Sequence, residues 1–253
     1  MLYYLRQLRF KLEFVIIIKV GVVVMIDLMS VSKTYKNGVH AIKNMTLHID
    51  EGEFVYIIGP TGSGKSTFIK LIDGEEIPDS GKVVVAGTDV GKLKFKKVPY
   101  YRRNIGVVFQ DYRLLPNLTI FENIAFALEA IGEDKATIRK RVREVLELVS
   151  LEEKARSFPR ELSGGQQQRA TIGRAIANKP KVLVADEPTG NLDPEKSNEI
   201  MRLLEKINEE EKTTVVMVTH DSNLVDEFKK RTIALEEGYI VADMMKGGYI
   251  KHE

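Results

Sequence analysis

The stretch Gly59–Ser66, GPTGSGKS, constrains the fold of this chain more than any other feature of its sequence. It matches the pattern G-x-x-x-x-G-K-[ST], whose glycines let backbone N–H groups turn inward around phosphate oxygens. A continuous apolar run, EFVYIIG, leads into this phosphate-binding loop, and STFIKLI, with helical spacing, follows it. We therefore expect a strand buried on both faces, then the loop, then a helix whose N-terminus attracts anions. Lys65 is predicted to reach the β- and γ-phosphates of a nucleotide, and Ser66 to bind Mg²⁺.

The rest of the pattern predicts an α/β fold. RRNIGVVFQ, KVLVADE and TTVVMVTH are further apolar runs typical of buried strands, and segments with helical spacing separate them. Such alternation indicates a mostly parallel sheet covered on both faces. Before the phosphate-binding loop, MIDLMSV and VHAIKNMTLHI alternate apolar and polar residues, as half-buried strands do. Amphipathic helices within about 111–160 are expected to form an insertion between strands.

Composition excludes several functions. The 253 residues, 43% of them hydrophobic, suit one globular domain, which we assign to 25–253. Because 38 basic residues nearly balance 36 acidic ones, charge gives no reason to expect nucleic acid as a partner. The absence of cysteine excludes disulfides and thiolate chemistry.

Residues 1–24 combine basic residues with an apolar run, and three interpretations compete. A secretory signal needs a small-residue cleavage site, which the sequence from Val22 to Met25 does not offer. A membrane span needs about 20 apolar residues, and Lys19 interrupts this run. We favour an N-terminal extension, arising from a start codon assigned too early, because MIDLMSVSKTY from Met25 begins like a complete domain.

Two carboxylates follow the buried run VLVA. Asp186 is predicted to hold Mg²⁺ through a water molecule, and Glu187 to polarise the water that attacks a phosphate. Taken alone, such a pair is more often a helix cap or a solvated turn. The phosphate-binding loop upstream favours the catalytic interpretation.

Two further polar residues, Gln110 and His220, end predicted parallel strands. Because the carboxyl ends of such strands meet at the edge of the sheet where ligands bind, both side chains are expected to approach the γ-phosphate. The alternative for His220 is an ordinary turn residue.

A second glycine-rich stretch, ELSGGQQQRA, begins at Glu161. Ser163, Gly164 and Gly165 precede another helical pattern, which predicts a second anion site. One γ-phosphate does not need two complete cradles from one molecule. We therefore expect two copies to pair head to tail, each capping the ATP held by the other.

With these motifs the chain resembles the nucleotide-binding domains of ABC transporters. The resemblance covers Met25 to about Tyr239, and six motifs stand in the family's order. They are the Walker A motif Gly59–Ser66, the Q-loop Gln110, the signature loop Leu162–Gln166, the Walker B motif Val182–Asp186 with Glu187, the D-loop around Asp193 and the switch His220.

The resemblance implies the ABC type of P-loop fold, with an antiparallel β subdomain and an inserted α-helical subdomain. It implies that Tyr35 stacks on adenine, that Ser163 and Gly165 contact the partner's γ-phosphate, and that Asp193 couples the two sites. It also implies that His220 stabilises the transition state. The predicted nucleotide-binding set is Tyr35, Gly59, Pro60, Thr61, Gly62, Ser63, Gly64, Lys65, Ser66, Thr67, Gln110, Ser163, Gly164, Gly165, Gln166 and Asp193; the catalytic set is Lys65, Glu187 and His220; the Mg²⁺ ligands are Ser66, Gln110 and Asp186.

The segment RRNIGVVFQDYRLLPNLTIFENIAFALEAIG is similar to a subfamily of cell-division ATPases. That resemblance implies an ATP-bound homodimer at the cytoplasmic face of the cell membrane, docked on the membrane protein FtsX, which controls cell-wall hydrolases. One alternative is the ATPase of a lipoprotein, macrolide or small-solute exporter. A second is a soluble ABC ATPase that acts on DNA or ribosomes.

Overall fold

The computed structural model of the protein describes residues 23–245. Most of the predicted N-terminal extension, residues 1–22, lies outside this range, and β1 begins at Val24. Within the described range no helix is long and apolar enough to cross a membrane. Residues 23–245 contain the strands β1 (Val24–Thr34), β2 (His40–Asp50), β3 (Phe54–Ile58), β4 (Ser80–Val85), β5 (Thr88–Asp89), β6 (Ile105–Val108), β7 (Val182–Asp186), β8 (Thr214–Val218), β9 (Arg231–Glu236) and β10 (Tyr239–Met244). The α-helices of this described range are α1 (Lys65–Ile72), α2 (Val98–Arg102), α3 (Ile120–Glu129), α4 (Lys135–Leu148), α5 (Gly164–Ile176), α6 (Pro194–Glu211) and α7 (Ser222–Phe228).

The central sheet has six strands in the order β10-β9-β3-β8-β7-β6. Five of them are parallel, and β10 pairs with β9 in the antiparallel direction. The carboxyl ends of β3, β8, β7 and β6 therefore lie at one edge. The predicted phosphate-binding loop, His220, Glu187 and Gln110 follow these four strand ends in turn.

The parallel strands are buried on both faces, as their continuous apolar runs predict. In β3, Phe54, Tyr56 and Ile58 pack into one core, whereas Val55 and Ile57 pack into the other. The first core is formed with α3 to α7, and the second with α1 and the smaller sheet. This alternation holds the strand ends of the site in a fixed frame.

The smaller sheet has four strands in the order β2-β1-β4-β5, and all its pairs are antiparallel. It supplies the antiparallel β unit that the resemblance implies. The expected helical insertion contains α3 and α4. Thr119 and Glu122 form a capping box at the start of α3, and Asp134 caps α4 through the N–H groups of Ala136 and Thr137.

Candidate active site

The phosphate-binding loop has positive φ at three glycines, Gly59, Gly62 and Gly64, and at Gly59 and Gly64 a Cβ would also meet neighbouring backbone. Gly59 has φ 147° and Gly64 has φ 109°. A Cβ on Gly59 would lie 2.2 Å from the carbonyl oxygen of Leu235, and one on Gly64 would lie 2.5 Å from that of Ala41. Among the described residues no side chain caps α1, so its N-terminus lacks the side-chain acceptor that an N-cap residue would supply. The loop is therefore a backbone cradle at a helix N-terminus, as an anion site requires.

Lys65 lies folded along this loop. Its Nζ donates to the carbonyl oxygens of Gly59 at 2.6 Å and Pro60 at 2.9 Å. Burial lowers the pKa of Lys65, and the nearby carboxylates of Glu187 and Asp186 act in the opposite direction. The Ser63 hydroxyl is buried without a hydrogen-bond partner among the described residues. A cation and an unsatisfied hydroxyl at this loop suit an anionic oxygen ligand.

The two predicted carboxylates stand at the end of β7 in different surroundings. Burial raises the pKa of Asp186, and repulsion from Glu187 adds to it, while Lys65 and Arg113 act against the rise. Glu187 has φ 47°, a left-handed conformation uncommon for this residue type. Its N–H donates to the Val218 carbonyl at 2.9 Å, which ties this strained position to β8. Strain of this kind is common at active sites.

The predicted base and the predicted switch histidine are in contact. Glu187 Oε2 lies 3.0 Å from His220 Nδ1. The two residues line a cavity of about 300 Å³ at the edge of the sheet. Its remaining lining residues are Thr189, Gly190, Leu192, Thr219, Asp221 and Ser222. Sequence analysis missed these six, because five lie in loops and Ser222 begins α7, and their convergence depends on the tertiary fold.

Gln110 reaches the same edge from β6. A Cβ on Gly190 would lie 3.0 Å from Gln110 Nε2 and 3.5 Å from Glu187 Oε2, so both side chains approach this glycine. Asn191 Nδ2 donates to the Gln110 carbonyl at 3.2 Å. The structure therefore brings Gln110 close to the predicted base, as the parallel order of the strands predicts.

Tyr35 follows β1 and lies beside the start of α1. Its hydroxyl is 3.2 Å from Thr67 Oγ1, and Lys33 Nζ lies 5.8 Å from the centre of its ring. This contact joins the smaller sheet to the phosphate-binding loop. Stacking of Tyr35 on adenine stays a prediction.

The signature loop starts α5 and has other neighbours. Ser163 Oγ accepts from the Gln166 N–H at 3.3 Å, and the Ser163 N–H donates to Gln166 Oε1 at 3.0 Å, which forms a capping box. A Cβ on Gly164 would lie 3.1 Å from the Tyr112 hydroxyl, and one on Gly165 would lie 3.5 Å from the Lys196 side chain. These neighbours differ from those found for the phosphate-binding loop.

Asp193 has a local structural role that sequence analysis did not predict. Its side chain accepts from the Lys196 N–H at 3.0 Å and caps α6. Its predicted role in coupling two sites stays a prediction.

The predicted Mg²⁺ ligands offer only oxygen atoms from the side chains of Ser66, Gln110 and Asp186. Within residues 23–245 no group of three or more His, Cys, Asp or Glu side chains is arranged to hold a metal. Mg²⁺ is commonly bound by one or two protein ligands together with substrate phosphates. The raised pKa of Asp186 reflects a burial cost that a nearby divalent cation would offset, so these residues fit Mg²⁺.

Comparisons with known proteins agree with this geometry. A family model described as ABC transporter matches residues 42–190. The chain is 55% identical to the cell division ATP-binding protein FtsE of Bacillus subtilis over 225 residues, which are 89% of this chain and 98% of that protein. It is 45% identical to FtsE of Escherichia coli over 216 residues, 85% of this chain and 97% of that protein.

A dimeric bacterial ABC transporter cassette of known structure is similar to this chain, with a TM-score of 0.79 and 42% sequence identity. The match covers 89% of this chain and 100% of the cassette chain. A second structure of the same cassette, a dimeric post-hydrolysis state bound to ADP and phosphate, has the same TM-score at 41% identity and the same coverage. The predicted family and fold class are confirmed, as is the resemblance to the cell-division subfamily. The chain therefore belongs to the nucleotide-binding, ATP-hydrolysing subunits of the ABC transporter family.

Proposed function

We propose that this chain is the ATPase of an FtsE-type cell-division complex. ATP binding closes a homodimer, hydrolysis reopens it, and the cycle moves a membrane partner. The observation that carries the catalytic part is the contact between Glu187 and His220 at the end of β7, on the sheet edge that also holds the phosphate-binding loop. The relatives at 45% and 55% identity, named for cell division, support the biological role.

In the proposed reaction Lys65 binds the β- and γ-phosphates and draws charge from them. Glu187 accepts a proton from the attacking water, and His220, 3.0 Å away, fixes the position of that carboxylate and faces the developing charge. The left-handed backbone of Glu187 departs from the extended conformation of β7 at this position. The chain thereby supplies the base and the positioning groups.

Mg²⁺, when bound, neutralises charge on the β- and γ-phosphates. The residues proposed to hold it are Ser66, Gln110 and Asp186. Asp186 is suited to this because its burial disfavours an unpaired negative charge.

The second anion site is proposed to act across a dimer interface. In the signature loop the capping box already uses the Gln166 N–H, so the N–H groups of Gly164 and Gly165 are left for a ligand. Because the phosphate-binding loop contacts different neighbours in the same chain, we assign the ligand of the signature loop to ATP held by a second copy. The dimeric cassette structures support this arrangement.

The membrane partner is proposed to be FtsX, docked on residues 111–118, the docking segment, at the cytoplasmic face of the membrane. Tyr112 and Arg113 both have positive φ, and the segment is not helical. Arg174 of α5 donates to the carbonyl oxygens of Arg113 at 2.6 Å and Tyr112 at 3.2 Å. Gln110 precedes this segment, which therefore connects the nucleotide edge to the helix that starts with the signature loop.

Leu115 is the proposed anchor for the partner. Leu114 packs against the first core, whereas Leu115 is half-buried and is held by Asn123, which accepts from its N–H at 2.7 Å and donates to its carbonyl at 3.1 Å. The backbone at this position is therefore rigid while part of the side chain remains accessible, as helix-in-groove docking requires.

The alternative of an ATPase acting on DNA has little support from the described residues. Chromosome-maintenance members of the family separate the two motif halves with a long coiled coil. Here the helices of the insertion are 10 and 14 residues long. The exporter alternative is tested by the identity of the membrane protein that co-purifies.

The central experiment for catalysis is Glu187→Gln. The amide keeps the shape of the side chain but accepts no proton, so we expect ATP to bind normally and turnover to fall by about 10²- to 10⁴-fold. Steady-state phosphate release and calorimetry measure the two quantities. Glu195→Gln, in the first turn of α6, is the matched control and should turn over normally. Turnover near the wild-type rate in Glu187→Gln would exclude this residue as the base.

Leu115→Glu tests the docking segment. A carboxylate buried without a partner costs several kcal/mol, so recruitment to membranes that contain FtsX should be lost while ATP binding persists. Val241→Glu is the control, because Val241 is exposed on β10 at the opposite edge of the six-stranded sheet. Retained recruitment of Leu115→Glu with an unchanged melting temperature would contradict docking at this segment. A collapsed melting temperature would assign Leu115 to packing instead.

A further inference from the structure

Residues 92–103, KLKFKKVPYYRR, form a strongly basic stretch that the ATPase site does not use. We call it the basic segment. It lies between β5 and β6 and contains six lysines and arginines but no carboxylate, in a chain whose overall charge is only +2. A cluster of this density on a nearly neutral chain indicates a surface that meets an anionic partner.

The basic segment is attached firmly to the fold. Leu93 packs against the second core. Tyr101 is 3% exposed, and its hydroxyl donates to the Ile72 carbonyl at the end of α1. Arg102 Nε donates to the Asp73 carbonyl at 3.1 Å. The cations are therefore presented from a fixed base rather than from a free loop.

Phe95 projects from the middle of this segment. It is 92% exposed, more than any other large hydrophobic residue in the described part of the chain, and it begins the 3₁₀ turn Phe95–Lys97. Lys94 and Lys96 flank it, both are exposed, and within residues 23–245 neither forms an ion pair. A ring exposed in this way between free ammonium groups is unfavourable in water and suits an interface that is apolar inside and anionic at its surface.

Tyr100, the second exposed aromatic residue of the segment, is already covered by cations. Lys97 Nζ lies 5.6 Å and Arg103 Cζ 4.8 Å from the centre of its ring. The ring is therefore not free to stack on a nucleobase. Single-stranded nucleic acid is usually bound by several aromatic rings along a basic groove, whereas here one ring stands alone at a turn. An exposed tyrosine beside cations is instead typical of the membrane interface.

We propose that the basic segment binds the surface of an anionic lipid membrane directly, with Phe95 inserted among the headgroups and Lys94, Lys96 and Lys97 bound to lipid phosphates. The inference rests on the proposed location of the subunit at the membrane, but it requires no membrane protein. Direct contact would hold the ATPase against the bilayer and raise its local concentration near its partner.

The first test uses the absence of tryptophan from the chain. Phe95→Trp in the full-length protein introduces a single reporter, read with vesicles of phosphatidylglycerol and phosphatidylcholine. We expect a blue shift with anionic vesicles, no shift with pure phosphatidylcholine, and quenching by brominated acyl chains. Phe126→Trp, at another exposed phenylalanine, is the matched control and should not shift.

The reporter is needed because residues 1–24 are themselves basic and apolar, so whole-protein binding alone does not locate the contact. If the Phe95→Trp protein sediments with anionic vesicles while its tryptophan emission stays unchanged, the proposal is wrong. A shift with duplex or single-stranded DNA but not with vesicles would likewise overturn it and assign the segment to nucleic acid.

The second test removes charge. The triple variant Lys94→Gln, Lys96→Gln, Lys97→Gln, made in the Phe95→Trp background, should reduce the apparent affinity for anionic vesicles on the order of 100-fold, as expected for three cations near an anionic surface. In the Phe95→Trp protein that keeps the three lysines, the blue shift of tryptophan emission should become smaller at high salt. Lys135→Gln, Arg139→Gln and Lys140→Gln on the exposed side of α4 form the matched control triple.

ATP turnover in solution should be unchanged in the first triple variant, which separates this inference from the proposed function. Loss of turnover would show a damaged fold or a catalytic role and would count against a lipid surface. An unchanged vesicle titration in the first triple variant would contradict the proposal, whatever the outcome of the Glu187→Gln experiment.

Discussion

The phosphate-binding loop and the signature loop both place glycines at the start of a helix, but their glycines serve different physical purposes. In the phosphate-binding loop Gly59 and Gly64 have φ of 147° and 109°, and backbone carbonyls occupy the space where a Cβ would stand. In the signature loop Gly164 and Gly165 have ordinary backbone angles, and their surroundings are side chains. The backbone conformation therefore requires glycine at Gly59 and Gly64, whereas the absence of a side chain at Gly164 and Gly165 leaves room for an approaching group.

The helix ends differ in the same way. Within the part of the chain that the structure describes, no side chain caps α1, whereas Ser163 and Gln166 cap α5 reciprocally. The phosphate-binding loop therefore depends on its ligand to satisfy several N–H groups, while the signature loop is partly satisfied before any ligand arrives. This difference is expected if the first loop binds ATP in the single chain and the second completes the site only when a second copy approaches.

The largest effect on ATP affinity is expected for Gly64→Ala. The new Cβ would meet the Ala41 carbonyl at 2.5 Å in a left-handed backbone, so the loop must move. We expect the free energy of unfolding to fall by about 1–3 kcal/mol from strain. A displaced cradle should weaken ATP binding by roughly 100-fold. Denaturant titration and calorimetry measure the two effects.

Two alanine variants serve as controls for that result. Gly62 has φ 83°, but a Cβ there would meet no described residue within 4 Å apart from its chain neighbours, so Gly62→Ala separates backbone strain from the contact. Gly165→Ala makes only an ordinary contact with Lys196 at 3.5 Å, and ATP binding by the single chain should be unchanged. Equal losses of ATP affinity in Gly64→Ala and Gly165→Ala would remove the distinction between the two loops.

A smaller loss of affinity is expected for Lys65→Ala. The variant removes a cation that donates into the phosphate-binding loop, and charged hydrogen bonds of this kind contribute about 1.5–3 kcal/mol, or roughly 10- to 100-fold in ATP affinity. Lys70→Ala, on the same helix and paired with Glu75 at 3.3 Å, is the control and should bind ATP normally. Undiminished ATP affinity in Lys65→Ala would contradict the assignment of this loop.

Much of the fold could be predicted because its signals are local. The continuous apolar runs became parallel strands, and helices such as α6 (Pro194–Glu211) formed from the segments with helical spacing between them. The strand-end rule then placed Gln110, Glu187 and His220 together, since parallel strands share one edge. The order of the six motifs along the chain predicted the family.

Other features depend on tertiary contacts or on weak local signals. The hairpin of β9 and β10 was not predicted, because its turn residues Glu237 and Gly238 lack the asparagine or aspartate that marks such turns, although both have positive φ. The contact of Glu187 with His220 depends on loops that follow β7 and β8. The N-cap role of Asp193 was hidden by its place in a family motif.

The most direct test of the account is the mass of the ATP complex in solution. Glu187→Gln with ATP should scatter light as a dimer. Adding Ser163→Arg places a bulky cation in the signature loop but leaves the phosphate-binding loop intact. We therefore predict a double variant that binds ATP with unchanged affinity and remains a monomer. A double variant that still forms the ATP-dependent dimer would contradict the claim that the signature loop caps the ATP of a second copy.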